Sequence, residues 1–74
     1  MSFDYSKLYA RIVEKYGTQY NFSKALNLSE RTVSLKLNNH ISWKASEIEH
    51  VINLLDLNVN DIPQYFFAKK VHAQ

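Results

Sequence analysis

The chain has 74 residues, is 46% apolar and 22% charged, and carries a formal charge of +2 from nine Lys plus Arg against seven Asp plus Glu. That composition describes one small globular domain, 1–74, with no room for a second core or a large buried cleft. A single Gly and a single Pro exclude a turn-rich all-β fold, and the absence of Cys excludes a disulfide scaffold, thiolate catalysis and Cys-based zinc sites. No apolar run approaches the ~20 residues of a membrane span, and the start MSFDYSK lacks the apolar stretch of a secretory leader, so a soluble cytoplasmic protein is expected. The mild basic balance is compatible with nucleic acid without being a strong phosphate-binding signature.

Asp4 or Ser6 is expected to cap a first helix, whose apolar set Tyr5, Leu8, Tyr9, Ile12, Val13 and Tyr16 follows helical spacing. Gly17 then stands where a helix end favours a left-handed residue. The tyrosines read as half-buried core edges rather than a stacking platform. Thr18 caps a second helix over 19–26, with Phe22, Ala25 and Leu26 on one face. Asn27 tolerates the left-handed conformation and predicts a tight turn, after which Leu28 returns to the core. Ser29 caps a third helix from Glu30 to about Asn38, with Val33 and Leu37 inward and Glu30, Arg31, Ser34, Leu35 and Asn38 outward.

Asn38, Asn39 and His40 form a polar loop, and Trp43 reads as a lid between helices. Two starts fit the fourth helix: a capping box of Ser46 with Glu49, or a turn beginning at Lys44. Its apolar face is Ile48, Val51, Ile52 and Leu55, with Glu47, Glu49, His50 and Asn53 mostly outside it. Pro63 fits only a first helical turn, so a short fifth helix is expected from about Asp61 to Phe67. Tyr65, Phe66 and Phe67 cannot all face inward, which leaves an aromatic patch for a partner or a self-dimer. The tail 68–74 is expected to fray. The predicted fold class is all-α, five helices around one core of Leu8, Ile12, Phe22, Leu26, Leu28, Val33, Leu37, Trp43, Ile48, Val51, Ile52 and Leu55.

Enzyme chemistry finds no support. His40, His50 and His72 lie on different elements without a carboxylate at metal-ligand spacing, and phosphate-binding glycine loops are missing. Neither a cofactor nor a metal is implied, and surface histidines are the simpler reading.

The informative stretch is QYNFSKALNLSERTVSLKLN, 19–38, a helix, a short turn and a second helix with core residues on both flanks. This is the helix-turn-helix layout, in which the first helix braces on phosphates and the second enters the major groove. The sequence resembles the lambda-repressor-like, five-helix DNA-binding domains of temperate phages over nearly its whole length. Gln19 opens the second helix where that family commonly has Gln, Leu26, Leu28 and Val33 match its core positions, and Ser29 opens the recognition helix. The run SLKLNN, followed by Trp43 and the IPQYFF ending, looks like very small phage regulators of Gram-positive hosts, among them Cro-type repressors and the antirepressor or modulator proteins encoded opposite the lysogeny repressor. Three positions depart from the family: Ser23 replaces Ala or Gly, Asn27 replaces Gly, and Lys36 replaces an apolar residue. The stem of Lys36 can cover core while its ammonium reaches solvent or phosphate.

The resemblance implies a bacterial host cytoplasm and two readings from different classes. The first is a Cro-like regulator of the lysis–lysogeny switch that binds double-stranded operator DNA, normally as a dimer. Arg31, Ser34 and also Ser29 and Leu35 would read bases, and Gln19 and Asn38 would contact phosphate. Glu30 would orient Gln19 or read a cytosine amino group. Tyr20, Asn21, Asn39, His40 and Lys44 are neighbouring candidates. The alternative is an antirepressor that binds the cognate phage repressor and covers its DNA-reading surface, with Glu30 at the rim and Leu35 as the apolar anchor.

Overall fold

The structure, a computed structural model, describes residues 2–70. It contains five α-helices, α1 (Ser6–Tyr16), α2 (Gln19–Leu26), α3 (Glu30–Leu37), α4 (Ala45–Leu54) and α5 (Ile62–Phe66), so the all-α, five-helix expectation holds. A 3-10 turn, Val59–Asp61, leads into α5, which is shorter at both ends than the predicted 61–67. Pro63 sits in the first turn of α5, where its missing N–H costs nothing.

Local chemistry sets the helix ends. Tyr5 is the residue preceding α1, while the Asp4 carboxylate accepts from the Ser6 N–H at 2.9 Å. Gly17 ends α1 at φ +83°, a conformation L side chains rarely adopt, and nothing else would obstruct a side chain there. Thr18 caps α2 by accepting from the Asn21 N–H at 3.1 Å. Asn27 ends it in the left-handed region at φ +63°, as its residue type predicts. Ser29 caps α3 by accepting from the Thr32 N–H at 3.1 Å. The α4 start resolves in favour of Lys44: its N–H donates to the Glu47 carboxylate at 2.8 Å, and the Ser46–Glu49 box does not form the cap.

The helices enclose one apolar core of Tyr5, Leu8, Ile12, Phe22, Leu26, Val33, Val51, Ile52, Leu55 and Phe66. Tyr5 and Phe66 are fuller members than the sequence suggests. Leu28, Leu37, Trp43 and Ile48 pack against the core but stay partly exposed. Trp43 behaves as a lid, its ring edge-on to Phe66 with centroids 5.6 Å apart. Ser23 is buried where α2 meets its neighbours and donates its hydroxyl to Tyr20 O at 2.7 Å, so its small size and satisfied polarity both fit. Val33 is fully enclosed, and Val33→Ala should lower unfolding free energy by about 1–3 kcal/mol, measurable by urea denaturation; an unchanged midpoint would contradict this packing.

Two expectations about charge placement are corrected. Lys36 reaches neither solvent nor phosphate: it is 2% exposed, and its Nζ bonds Glu47 Oε1 and Ser42 O, each at 2.9 Å. Glu47, expected outside the α4 face, turns inward to meet it. The reason is reciprocal, since an ammonium placed against the core needs a carboxylate and a carbonyl to replace its water.

The fraying prediction for the tail is corrected for its first residues. Ala68 O accepts from the Asp4 N–H at 2.7 Å, and Phe3 and Lys69 form an isolated antiparallel bridge. Asn39, in the left-handed region, clamps the same segment by donating to Phe3 O and accepting from Phe3 N, both at 2.9 Å. Residues 71–74, with His72, lie outside the described residues. No helix among the described residues is long and apolar enough to cross a membrane, and no cluster of potential metal ligands occurs among them.

Candidate functional site

The unit formed by α2, the turn 27–29 and α3 is held as a rigid corner. The Asn27 N–H donates back to Lys24 O and Ser23 O, and the Leu28 N–H to Ser23 O at 3.0 Å. Asn21 donates its side-chain amide to Tyr16 O at 3.1 Å, fixing α2 against the end of α1. These bonds present the N-terminal half of α3 outward from a fixed base.

Glu30 and Arg31 are exposed in the first turn of α3, and neither enters an ion pair among the described residues. The Glu30–Gln19 hydrogen bond considered from the sequence does not form there. Ser29 is exposed, but its hydroxyl is engaged in the cap, accepting from Thr32 N and donating to Thr32 Oγ1 at 2.9 Å. Ser34 and Leu35 are half-buried, so both present only part of their surface. Asn38 closes α3 and folds its amide back onto Ser34 O at 2.8 Å. Gln19 and Asn38, the two phosphate candidates, do come together: they line one cleft of about 380 Å³ with Tyr9, Ser6 and Lys70.

Asn39 is half-buried, and its side-chain amide is engaged in two hydrogen bonds with the Phe3 backbone, one accepted and one donated. Lys44 remains exposed at the start of α4, and His40 is exposed in the loop that precedes it. The predicted aromatic patch is split. Phe66 is 1% exposed and belongs to the core, Tyr65 is half-buried, and Phe67 is half exposed, packed edge-on against Phe3 at 5.6 Å.

The sequence reading overlooked Ile41, whose side chain is exposed in the loop between α3 and α4. An isoleucine alone among polar loop residues is the available signal. Lys24 was passed over as well; its ammonium stands 5.2 Å above the exposed Tyr20 ring on α2.

The electrostatics of α3 follow from the ion pair beneath it. With Lys36 neutralised by Glu47, the exposed charges of the helix reduce to Glu30 and Arg31, of opposite sign. Burial pushes the Glu47 carboxyl up, but bonds from the Lys44 N–H and Lys36 Nζ outweigh it and hold the pKa below the ordinary glutamate value. The carboxylate therefore stays ionised against Lys36.

Comparison with known proteins adds the family. The family described as "Protein of unknown function (DUF739)" matches residues 1–69. The chain belongs to this family. It is also similar to a solved structure, the solution structure of the modulator of repression (MOR) of the temperate bacteriophage TP901-1 from Lactococcus lactis. The two are 60% identical, the match covers 97% of each chain, and the TM-score is 0.81. No curated protein matches. This DUF739 chain is thus closely related to a phage regulatory protein, the kind of small phage regulator the SLKLNN and IPQYFF strings suggested.

Proposed function

We propose that this chain is a phage regulator of the lysis–lysogeny switch, and that it acts by binding the cognate repressor and covering that protein's DNA-reading surface. Its α2–turn–α3 unit is a helix-turn-helix of the lambda-repressor-like type, used here as a protein-docking face. The observation that carries this reading is the inward turn of Lys36 onto Glu47. It removes the basic charge that α3 would otherwise offer to phosphate and leaves the opposite charges of Glu30 and Arg31. Such a balanced helix suits a protein surface better than a polyanion, whose binding rests on net positive contacts. The half-buried Leu35 supplies apolar area at the centre, and Glu30 meets the basic rim that a DNA-reading surface presents. The relative named a modulator of repression supports a regulator of this kind.

Direct operator binding is the second reading. It is favoured by the exposed Arg31 in the first turn of α3 and by the shared cleft of Gln19 and Asn38 beside Lys70. Association with the cognate repressor, measured for wild type, Glu30→Lys and Leu35→Ala alongside a gel-shift on operator DNA, separates the two. Glu30→Lys should slow association most, since steering depends on rim charge, and Leu35→Ala should mainly speed dissociation. If both variants bind the repressor like wild type, and wild type alone shifts the operator in a strongly salt-dependent manner, α3 reads DNA.

A further inference from the structure

A second surface lies away from the α2–α3 face, between α4 and the turn that leads into α5. It is a groove of about 700 Å³, open to solvent. Helical phase puts two rows of α4 into it. Ala45, Ile48 and Ile52 make an apolar row, and Ser46, Glu49 and Asn53 make a polar one. Across from them stand Val59 and Ile62. Val59 is 67% exposed, more than any other large apolar residue among the described residues. The turn that carries it is held: the Asn58 N–H donates to Asp61 Oδ2 at 3.0 Å, and the Asn60 N–H to Asn58 Oδ1 at 2.9 Å. An apolar wall fixed in this way loses little freedom when a partner covers it.

Charge decides the occupant. From 45 to 68 the sequence holds four acids, Glu47, Glu49, Asp56 and Asp61, and no Lys or Arg. Glu47 and Asp56 are neutralised by Lys36 and Lys15. Glu49 enters no ion pair among the described residues, and it is the one charged side chain in the groove lining. Asp61, which falls in sequence between Val59 and Ile62, accepts from the neutral Asn58 N–H and Gln64 Nε2, so its charge meets no cation among the described residues. Lys44 precedes the groove, where its charge acts on Glu47. A surface of this sign repels phosphate, whether of nucleic acid or of an anionic bilayer. Two copies joined through it would bring like charges together. The uncovered apolar floor and the unpaired carboxylate together favour a cationic segment with apolar side chains.

We propose that this groove docks a short amphipathic helix of a partner protein, with bulky aliphatic side chains along one face and Lys or Arg beside them. From Ala45 to Asn53 α4 runs about 12 Å, the length of roughly two helical turns. Aliphatic side chains one turn apart cover Ile48, Ile52, Val59 and Ile62, and a Lys or Arg of the segment pairs with Glu49. The site does not depend on the α2–α3 reading, because it uses none of Glu30, Arg31 or Leu35.

The test is titration of the isotope-labelled full chain with an N-acetylated, amidated helical peptide of leucine and lysine, its leucines along one face. The Ala45, Ser46 and Asn53 amides and the Val59 and Ile62 methyls should shift, while the amides of α3 stay in place. Replacing the leucines by alanine, or the lysines by glutamate, should weaken binding at least tenfold. Glu49→Lys changes an exposed side chain and should keep the thermal midpoint. It should weaken the lysine peptide about tenfold and gain binding of the glutamate peptide, a swap that a merely structural role would not produce. Val59→Ser should weaken the lysine peptide several-fold, again with the fold intact. The proposal is overturned if the lysine peptide leaves the groove resonances unmoved or shifts α3 instead, if the glutamate peptide binds wild type equally well, or if Glu49→Lys and Val59→Ser both bind like wild type. It is overturned equally if operator DNA or anionic vesicles move the same resonances, or if they move with protein concentration alone, which would make the occupant a second copy.

Discussion

Glu47→Ala is expected to lower the stability of this domain by about 3–5 kcal/mol, because it strands the Lys36 ammonium in the core. The two side chains are 3% and 16% exposed, so little water can replace the lost carboxylate. Ser42 O would remain as a partner for Lys36, but a neutral carbonyl does not compensate a buried charge. The same change removes the acceptor for the Lys44 N–H and so loosens the start of α4. Replacing both partners together, as Lys36→Met with Glu47→Leu, should recover most of the loss, since an apolar pair needs no desolvation. Urea denaturation followed by Trp43 fluorescence distinguishes these outcomes; a loss below about 1 kcal/mol for Glu47→Ala would mean that Lys36 finds water. The pH dependence follows from the lowered pKa of Glu47. A carboxyl depressed in the folded state adds stability that is present above the usual glutamate value, about 4.3, and lost as pH falls through the lower folded value. Wild type should therefore lose stability below about pH 4 more steeply than the Lys36→Met, Glu47→Leu double variant.

Phe66→Ala should cost about 3–5 kcal/mol, whereas Phe67→Ala should cost at most about 1 kcal/mol. The residues are adjacent, yet Phe66 is 1% exposed against the Trp43 ring and Phe67 is 50% exposed against Phe3. Removing Phe66 leaves a void beneath α5 and takes away one side of the Trp43 packing, so Trp43 emission should shift to the red. Removing Phe67 loses one edge-on contact at the surface. Comparable losses for the two variants would show that the end of α5 is not packed as described. The contrast also bears on the partner patch, because only the residue whose loss leaves the fold intact can be tested for binding.

Much of this architecture was legible in the residues. The i, i+4 pair Leu8 and Ile12, the caps Thr18 and Ser29, and the turn residues Gly17 and Asn27 each act through their own backbone or an adjacent turn. Periodicity and residue type therefore located all five helices. The exposed Glu30 and Arg31 of α3 followed equally from helical phase. What the sequence could not reveal depends on groups distant along the chain. Asn39 reads as a polar loop residue until Phe3 is brought against it. Lys36 reads as a solvent-seeking cation until α4 places Glu47 and the loop places Ser42 O beside it. Local chemistry sets where a helix starts, stops and turns its apolar side. The partner of a buried charge or amide is chosen by the packing of one helix on another, and only the tertiary structure decided that α3 would present a balanced pair of charges in place of a basic face.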